Sequence, residues 1–228
     1  AKFYSSEDFI KISNKLLDIN WSLFVDDLPK SQEDLSGLNV LVLLEPNEYF
    51  GLHDWAIQNQ HLFQVILTWS DKVLNNCENA VFIPFGTTWL TPKQYNKNYN
   101  KIFQVSHVRG NLLKTCGHML RHEYHNRVNE LKIPHKSWEI AGIREKIETC
   151  AIAKCELFGN SQYGVIIENT SHRGYFTEKI MEMFLFKTIP VYWGCSNIGD
   201  FFNKDGIITF DNIDDLIYKL NEIGRAHV

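Results

Sequence analysis

Between Tyr163 and Gly194 the chain reads YGVIIENTSHRGYFTEKIMEMFLFKTIPVYWG. An apolar run, Tyr163 to Ile167, ends in Glu168-Asn169 and gives way to a polar loop with Ser171, His172, Arg173 and Tyr175. Thr177-Glu178-Lys179 then opens a helical segment, and a second apolar run, Ile189 to Trp193, stops at Gly194. A helix start offers unpaired N–H groups and the positive end of the dipole, which suit a phosphate. Lys179 adds a full charge there, and Glu178 can accept hydrogen bonds from ribose or sugar hydroxyls. Acidic residues near a helix start also simply complement the dipole, and a lysine there can be a solvated surface group. The pair alone leaves both readings open.

Such residues must be held by a sheet. Asn39 to Leu44 (NVLVLL) is a continuous apolar run of the kind found in a buried parallel strand, and it ends in the polar loop Glu45-Pro46-Asn47-Glu48. Trp21 to Val25, Phe63 to Thr68, Ala80 to Pro84, Ile102 to Ser106, Tyr163 to Ile167, Ile189 to Trp193 and Gly206 to Phe210 also read as strands. Helices are expected over Ser6–Leu17, Cys116–Lys132, Ile143–Leu157, Thr177–Lys187 and Ile213–Ile223. The polar stretch Thr91–Lys101 is the linker candidate. It suggests a first domain over 1–98 and a second over 99–228. Strands and helices alternate on both sides of it, which argues for α/β architecture: two Rossmann-like open-sheet domains facing a cleft. Ligands of such sheets sit beyond the carboxyl ends of the strands. That rule singles out the loops after Leu44, Ser106, Ile167 and Trp193.

Composition narrows the classes. The chain has 228 residues and a net charge of −4, without the basic surplus that a nucleic-acid binder uses to neutralise phosphates. Its five cysteines show no CxxC spacing and no disulfide framework, as expected of reduced thiols in a cytoplasmic protein. Neither a signal-peptide pattern nor a membrane-length apolar run is seen, so a soluble chain is expected. No D-x-D triplet, no G-x-x-x-x-G-K-[ST] loop and no G-x-G-x-x-G after a strand occurs. His118 and His122 have an i,i+4 spacing that can suit a metal, but a wet helix face explains them more simply, and no metal site is expected.

The 163–194 segment resembles the alpha-1,3-fucosyltransferase family. That family carries F-E-N-S, then Y-x-T-E-K, a helix, and a P-V or P-I segment ending in glycine. Here these stand as Ile167-Glu168-Asn169-Thr170, Tyr175-Phe176-Thr177-Glu178-Lys179 and Ile189-Pro190-Val191-Tyr192-Trp193-Gly194. The match runs from about Tyr163 to Leu216, roughly a quarter of the chain. Upstream, Arg121 in Arg121-His122-Glu123-Tyr124 is similar to the family's diphosphate-holding arginine, with Arg109 as the rival. The loop after LVLL resembles the one that bears the family's general base. Glu45 fits that place by position, with Glu48 as the alternative.

The resemblance implies a GT-B type, inverting enzyme that moves fucose from GDP-fucose to a glycan hydroxyl. Glu45 would take the acceptor's proton. Arg121 and Lys179 would stabilise the departing diphosphate in place of a metal, although a divalent ion can still stimulate. Glu178 would hold the ribose, Tyr175 would line the nucleotide pocket, and Glu168 and Asn169 would lie near the transferred sugar. The expected partners are a nucleotide-sugar donor and a glycan acceptor, with no cofactor required. A transferase for another nucleotide sugar, or a non-catalytic nucleotide-sugar or glycan-binding module, would keep the same diphosphate machinery.

Overall fold

The computed structural model describes residues 20–35, 37–139 and 147–226. The helix expected over Ser6–Leu17 and the start of the one expected over Ile143–Leu157 lie outside the described residues. The chain divides into two compact units, one ending at Ile83 and one beginning at Pro84. Each is built on its own parallel sheet.

In the first unit β1 (Trp21–Val25), β2 (Leu38–Leu43), β3 (Val65–Thr68) and β4 (Ala80–Phe82) lie side by side in chain order, all parallel. Two short helices, α1 (Asn47–Phe50) and α2 (Leu52–Gln58), carry the chain from β2 to β3, and α3 (Asp71–Leu74) carries it from β3 to β4. Leu41, Leu43, Ala56, Phe63, Ile66 and Val73 form the core. The apolar run of β2 suits its central place in this sheet, where Leu41, Val42 and Leu43 are buried.

The second unit begins with α4 (Pro92–Tyr95) and continues through β5 (Ile102–Arg109), α5 (Cys116–Asn126) and β6 (His135–Glu139). After these come α6 (Ile147–Leu157), β7 (Ser161–Ile167), α7 (Glu178–Phe186) and β8 (Ile189–Trp193). The unit closes with β9 (Ile208–Thr209) and α8 (Ile213–Ala226). Its strands are ordered β6-β5-β7-β8-β9, and every pairing is parallel. Both faces are covered. Ile166 packs with Phe158, Ile180, Met183 and Phe186 on one side. Val165 and Ile167 pack with Val105, Tyr124, Val191 and Leu216 on the other. From β5 the chain turns first to β6 on one flank and then to β7 on the other. The strand order therefore reverses between β5 and β7, the place where open α/β sheets hold their ligands.

The stretch expected as a linker is docked. Thr91 and Gln94 form a capping box, with the Thr91 N–H donating to Gln94 Oε1 at 2.7 Å. The Tyr99 ring packs edge-on against Phe186, and Leu90 is buried in the same core. These anchors place residues 84–98 with the second unit, so the units divide earlier in the chain than position 98. Helix α5 is shorter than the expected Cys116–Lys132. Arg127 leaves helical geometry (φ −111°, ψ 8°) and pairs with Glu130 and Asp214, both at 2.8 Å. Strand β6 was not expected. It is a polar edge strand, HKSWE, joined to the sheet only through β5.

Candidate functional site

Glu168 stands at the carboxyl end of β7 and is fully buried. Its carboxylate accepts from the Thr177 N–H (2.9 Å) and the Thr177 hydroxyl (2.7 Å), and it lies 3.4 Å from Lys179 Nζ. Thr177 is the N-cap of α7 and accepts from Lys179 Nζ at 2.9 Å. Glu178 Oε1 stands 3.5 Å from the same ammonium. One buried carboxylate therefore ties the end of a strand to the start of a helix, and the Lys179 ammonium is held between two carboxylates and a hydroxyl. The start of α7 is not a bare cationic surface.

The loop between Glu168 and Thr177 is fastened on its other side. Ser171 Oγ donates to the Gly194 carbonyl at 2.7 Å, and the Gly174 N–H donates to Asn197 Oδ1 at 2.8 Å. Phe176 packs against Phe201 and Phe202. Gly194 (φ 158°) lies so close to Glu168 that a Cβ would meet its Cγ at 2.5 Å. Only glycine allows β8 to leave the sheet there. Tyr175, expected in the nucleotide pocket, is fully buried within this loop.

Arg121 reaches from α5 to the same strand end. Its Nε and Nη2 donate to the Ile167 carbonyl at 2.9 and 2.7 Å, and Nη2 also donates to Asn169 Oδ1 at 2.8 Å. The rival, Arg109, is engaged elsewhere: it pairs with Glu139 at 2.7 Å and bonds His122 Nδ1 at 2.7 Å.

A cavity of about 250 Å³ opens at the carboxyl ends of β5 and β7, where the strand order reverses. Arg121, Glu178 and Lys179 all line it. So do Val108 and Gly110 from β5 and its exit, Ile166 and Ile167 from β7, and Lys154 and Phe158 from α6 and its end. Glu168, Asn169 and Tyr175 do not line it; Glu168 holds Lys179 and Asn169 holds Arg121, both of which do. Burial pushes the Glu178 carboxyl up, but Lys179 and Lys154 outweigh that effect and hold it below its ordinary value. His118, behind the site, is pushed down to about 4 by burial, with Arg121 and Lys179 adding to the effect. Its Nδ1 lies 2.6 Å from the Thr115 hydroxyl, while His122 faces Arg109, so the i,i+4 pair serves two different partners. Among the described residues no group of three or more His, Cys, Asp or Glu side chains is arranged to hold a metal ion.

In the first unit, Glu45 follows β2 and is half-buried, whereas Glu48 is exposed on α1. The Asp26 carboxylate accepts from the N–H groups of Leu44 (2.8 Å) and Glu45 (3.1 Å). Asp26 itself adopts a left-handed backbone (φ 46°), which aspartate tolerates better than most residues. His53 Nε2 lies 3.1 Å from the Glu45 carbonyl oxygen, and Trp69 Nε1 donates to the Leu44 carbonyl at 2.7 Å. The Glu45 backbone is thus fixed from three sides.

No family model matches the chain. By sequence it is 34% identical over 67 residues to the alpha-(1,3)-fucosyltransferase FucT of Helicobacter pylori, covering 28% of this chain and 14% of that protein. A protein of Acanthamoeba polyphaga mimivirus with a provisional fucosyltransferase assignment is 22% identical over 212 residues, covering 81% of this chain and 31% of its own. Solved structures share the fold. A crystal structure of an alpha1,3-fucosyltransferase superposes with a TM-score of 0.60 at 18% identity, over 89% of this chain and 66% of the other. One with GDP gives 0.55 at 16% identity, over 97% and 76%. One with GDP-fucose gives 0.53 at 15% identity, over 89% and 65%.

The chain is similar in sequence to alpha-1,3-fucosyltransferases over part of its length and shares the fold of the solved ones. It spans less than a third of the length of the two curated relatives it matches, and about two thirds to three quarters of the solved fucosyltransferase chains. Among the described residues no helix is long and apolar enough to cross a membrane.

The resemblance read from the sequence points to Arg121, Glu178 and Lys179, but not to everything that surrounds the cavity. Lys154 on α6, Glu182 on α7 and Trp89 ahead of α4 also line it. The spacing of Glu178 and Glu182, i and i+4, was available as a sign that both carboxylates share one helical face. Nothing in the sequence marks Lys154 or Trp89, because they reach the cavity only through tertiary packing. Asp26 is of the same kind: its role depends on the pairing of β1 with β2.

Proposed function

We propose that this chain carries the donor machinery of a fucosyltransferase, taking fucose from GDP-fucose to a hydroxyl of a glycan acceptor with inversion. The observation that carries this reading is the convergence of Arg121, Glu178 and Lys179 on one cavity at the switch point of a parallel sheet. The fucosyltransferase structures with GDP and GDP-fucose that share the fold support the choice of donor.

In this reading the diphosphate lies against the start of α7, where free N–H groups and the helix dipole favour an anion. As the bond from the anomeric carbon to the phosphate oxygen breaks, negative charge grows on the diphosphate. Lys179 and the planar fork of Arg121 oppose that charge where it develops. Glu178, kept ionised by Lys179 and Lys154, accepts from the ribose hydroxyls. Glu168 and Asn169 act as positioning residues: the first fixes Thr177 and Lys179, the second fixes Arg121. Glu45 takes the proton of the attacking acceptor hydroxyl, a contribution of typically about 10²–10⁴-fold for a general base. The acceptor oxygen attacks the anomeric carbon from the face opposite the leaving diphosphate, which inverts the configuration. No protein-bound metal takes part in these steps.

Incubation with GDP-fucose and a glycan array tests the reading. It predicts GDP release coupled to fucosylated product on a subset of glycans. Transfer from a different nucleotide sugar would replace the donor assignment, and binding without any turnover would leave a sugar-nucleotide-binding module.

A further inference from the structure

Deep in the cavity two helices meet through an ion pair. Lys154 Nζ on α6 donates to Glu182 Oε2 on α7 at 2.7 Å, with the side chains 15% and 1% exposed. The second carboxylate oxygen accepts from the Trp89 N–H at 3.1 Å. The walls beside the pair are apolar: Ala151, Phe158, Ile166 and Met183. A buried ion pair seldom stabilises a fold better than well-packed apolar side chains would. An apolar slot with a few convergent polar groups is, in contrast, the usual form of a small-molecule site. Trp89 also lines this cavity and is 47% exposed, although its backbone N–H is anchored to Glu182.

Along α7 the polar groups stand in order: Lys179 at the helix start, Glu178 beside it, and Glu182 one turn further on, about 6 Å along the axis from Glu178. A nucleoside diphosphate lying along this helix, phosphates at its start, would bring its ribose to Glu178 and its base to Glu182.

We propose that Lys154 and Glu182 read the edge of a guanine base in this cavity, with Trp89 offering a face for the ring. The inference rests on the nucleoside-diphosphate reading above and adds the residues that choose the base. Guanine places an acceptor, O6, next to two donors, N1–H and the 2-amino group. An ammonium has three donors, of which Lys154 gives one to Glu182. An ionised carboxylate has about four lone-pair positions, of which two are used here. The pair therefore offers a donor next to acceptors, complementary to guanine. Uracil would turn its O2 acceptor toward the carboxylate, and adenine presents its donor and acceptor in the reverse order. Both mismatches leave buried polar groups unpaired, the arrangement by which sites discriminate most strongly.

Calorimetric titration of the protein with GDP, IDP, XDP, UDP and ADP tests this. GDP is expected to bind about tenfold or more tightly than IDP, which lacks only the 2-amino group, and more tightly than UDP or ADP. In Glu182→Gln, which keeps the shape, an amide N–H faces the position of that amino group. GDP is then expected to weaken by about tenfold or more, and the GDP:XDP preference to shift toward XDP, whose C2 oxygen accepts. Equal wild-type affinity for GDP and IDP, or an unchanged GDP:XDP ratio in Glu182→Gln, overturns the assignment. The wild-type comparison stands even if the variant does not fold. Binding of none of the five diphosphates would overturn the donor reading itself. GDP binding with a flat base preference would remove only the role of Lys154 and Glu182.

Discussion

Gly117, in the first turn of α5, packs so tightly under the end of β7 that a Cβ would stand 1.8 Å from the carbonyl oxygen of Glu168. The Gly117 N–H donates to the Asn169 carbonyl at 3.0 Å, so the contact is backbone against backbone and no side chain can yield. This approach sets where Arg121, four residues on, meets Ile167 and Asn169. Gly117→Ala must push α5 away from β7. Denaturant unfolding should show a loss of about 1–3 kcal/mol, the usual cost of overpacking. Nucleotide binding should fall with it, since the Arg121 fork loses its register. An alanine variant of wild-type stability would mean that α5 sits less closely on the strand end.

Thr177 joins the end of β7 to the start of α7 by accepting from Lys179 Nζ and donating to Glu168 while capping α7. Thr177→Val keeps the shape and removes the hydroxyl, leaving a buried carboxylate one partner short. A loss of about 1–3 kcal/mol is expected in thermal or urea unfolding. Thr177→Ser should restore most of it. Failure of serine to do better than valine would argue that packing of the methyl group, not the hydroxyl, is what counts.

The base assignment separates two neighbouring carboxylates. Glu45→Gln should lower transfer by about 10²-fold or more, while Glu48→Gln should stay within a few-fold of wild type. Steady-state rates with GDP-fucose and a responsive glycan measure both. The opposite order would move the base to Glu48. Asp26→Asn should fall between the two, because it loosens the Glu45 backbone without removing the carboxylate.

Two buried imidazoles make stability depend on pH. Burial pushes His118 down to about 4 and His107 to about 3, with Arg121 and Lys179 adding to the effect at His118 and His125 at His107. In the unfolded chain both take up protons near about 6.5. As pH falls from about 6.5 toward 4, the unfolded state binds protons that the native state refuses, so native stability must fall across that window. Urea midpoints measured between about pH 7 and 5 should decline. The decline should be shallower in His118→Gln than in wild type; equal slopes would mean that His118 titrates normally in the folded protein.

Much of the fold around this candidate site is legible in the sequence, and the reason is local chemistry. NVLVLL and IPVYW announce strands because both faces of a central parallel strand are covered, so no polar residue interrupts them. Thr177-Glu178-Lys179 announces a helix start because capping and dipole effects act within one turn. The polar strand β6 stays hidden, since an edge position asks for no apolar run. The stretch 91–101 reads as a linker because Tyr99, its anchor against Phe186, stands among polar residues and the other anchor, Leu90, lies just ahead of it. Glu168 was expected near the sugar because its motif lies beside the donor residues. Its full burial under Thr177 depends on how β7 meets α7, which no linear pattern states.

The central claim is that a diphosphate lies against Lys179 and Arg121 at the start of α7. Titration of the protein with GDP and with guanosine, in wild type and Lys179→Met, tests it most directly. Wild type is expected to bind GDP, Lys179→Met to weaken GDP by about tenfold or more, and guanosine to bind both proteins equally. GDP affinity unchanged by the loss of the ammonium, or lost in step with guanosine, would contradict it.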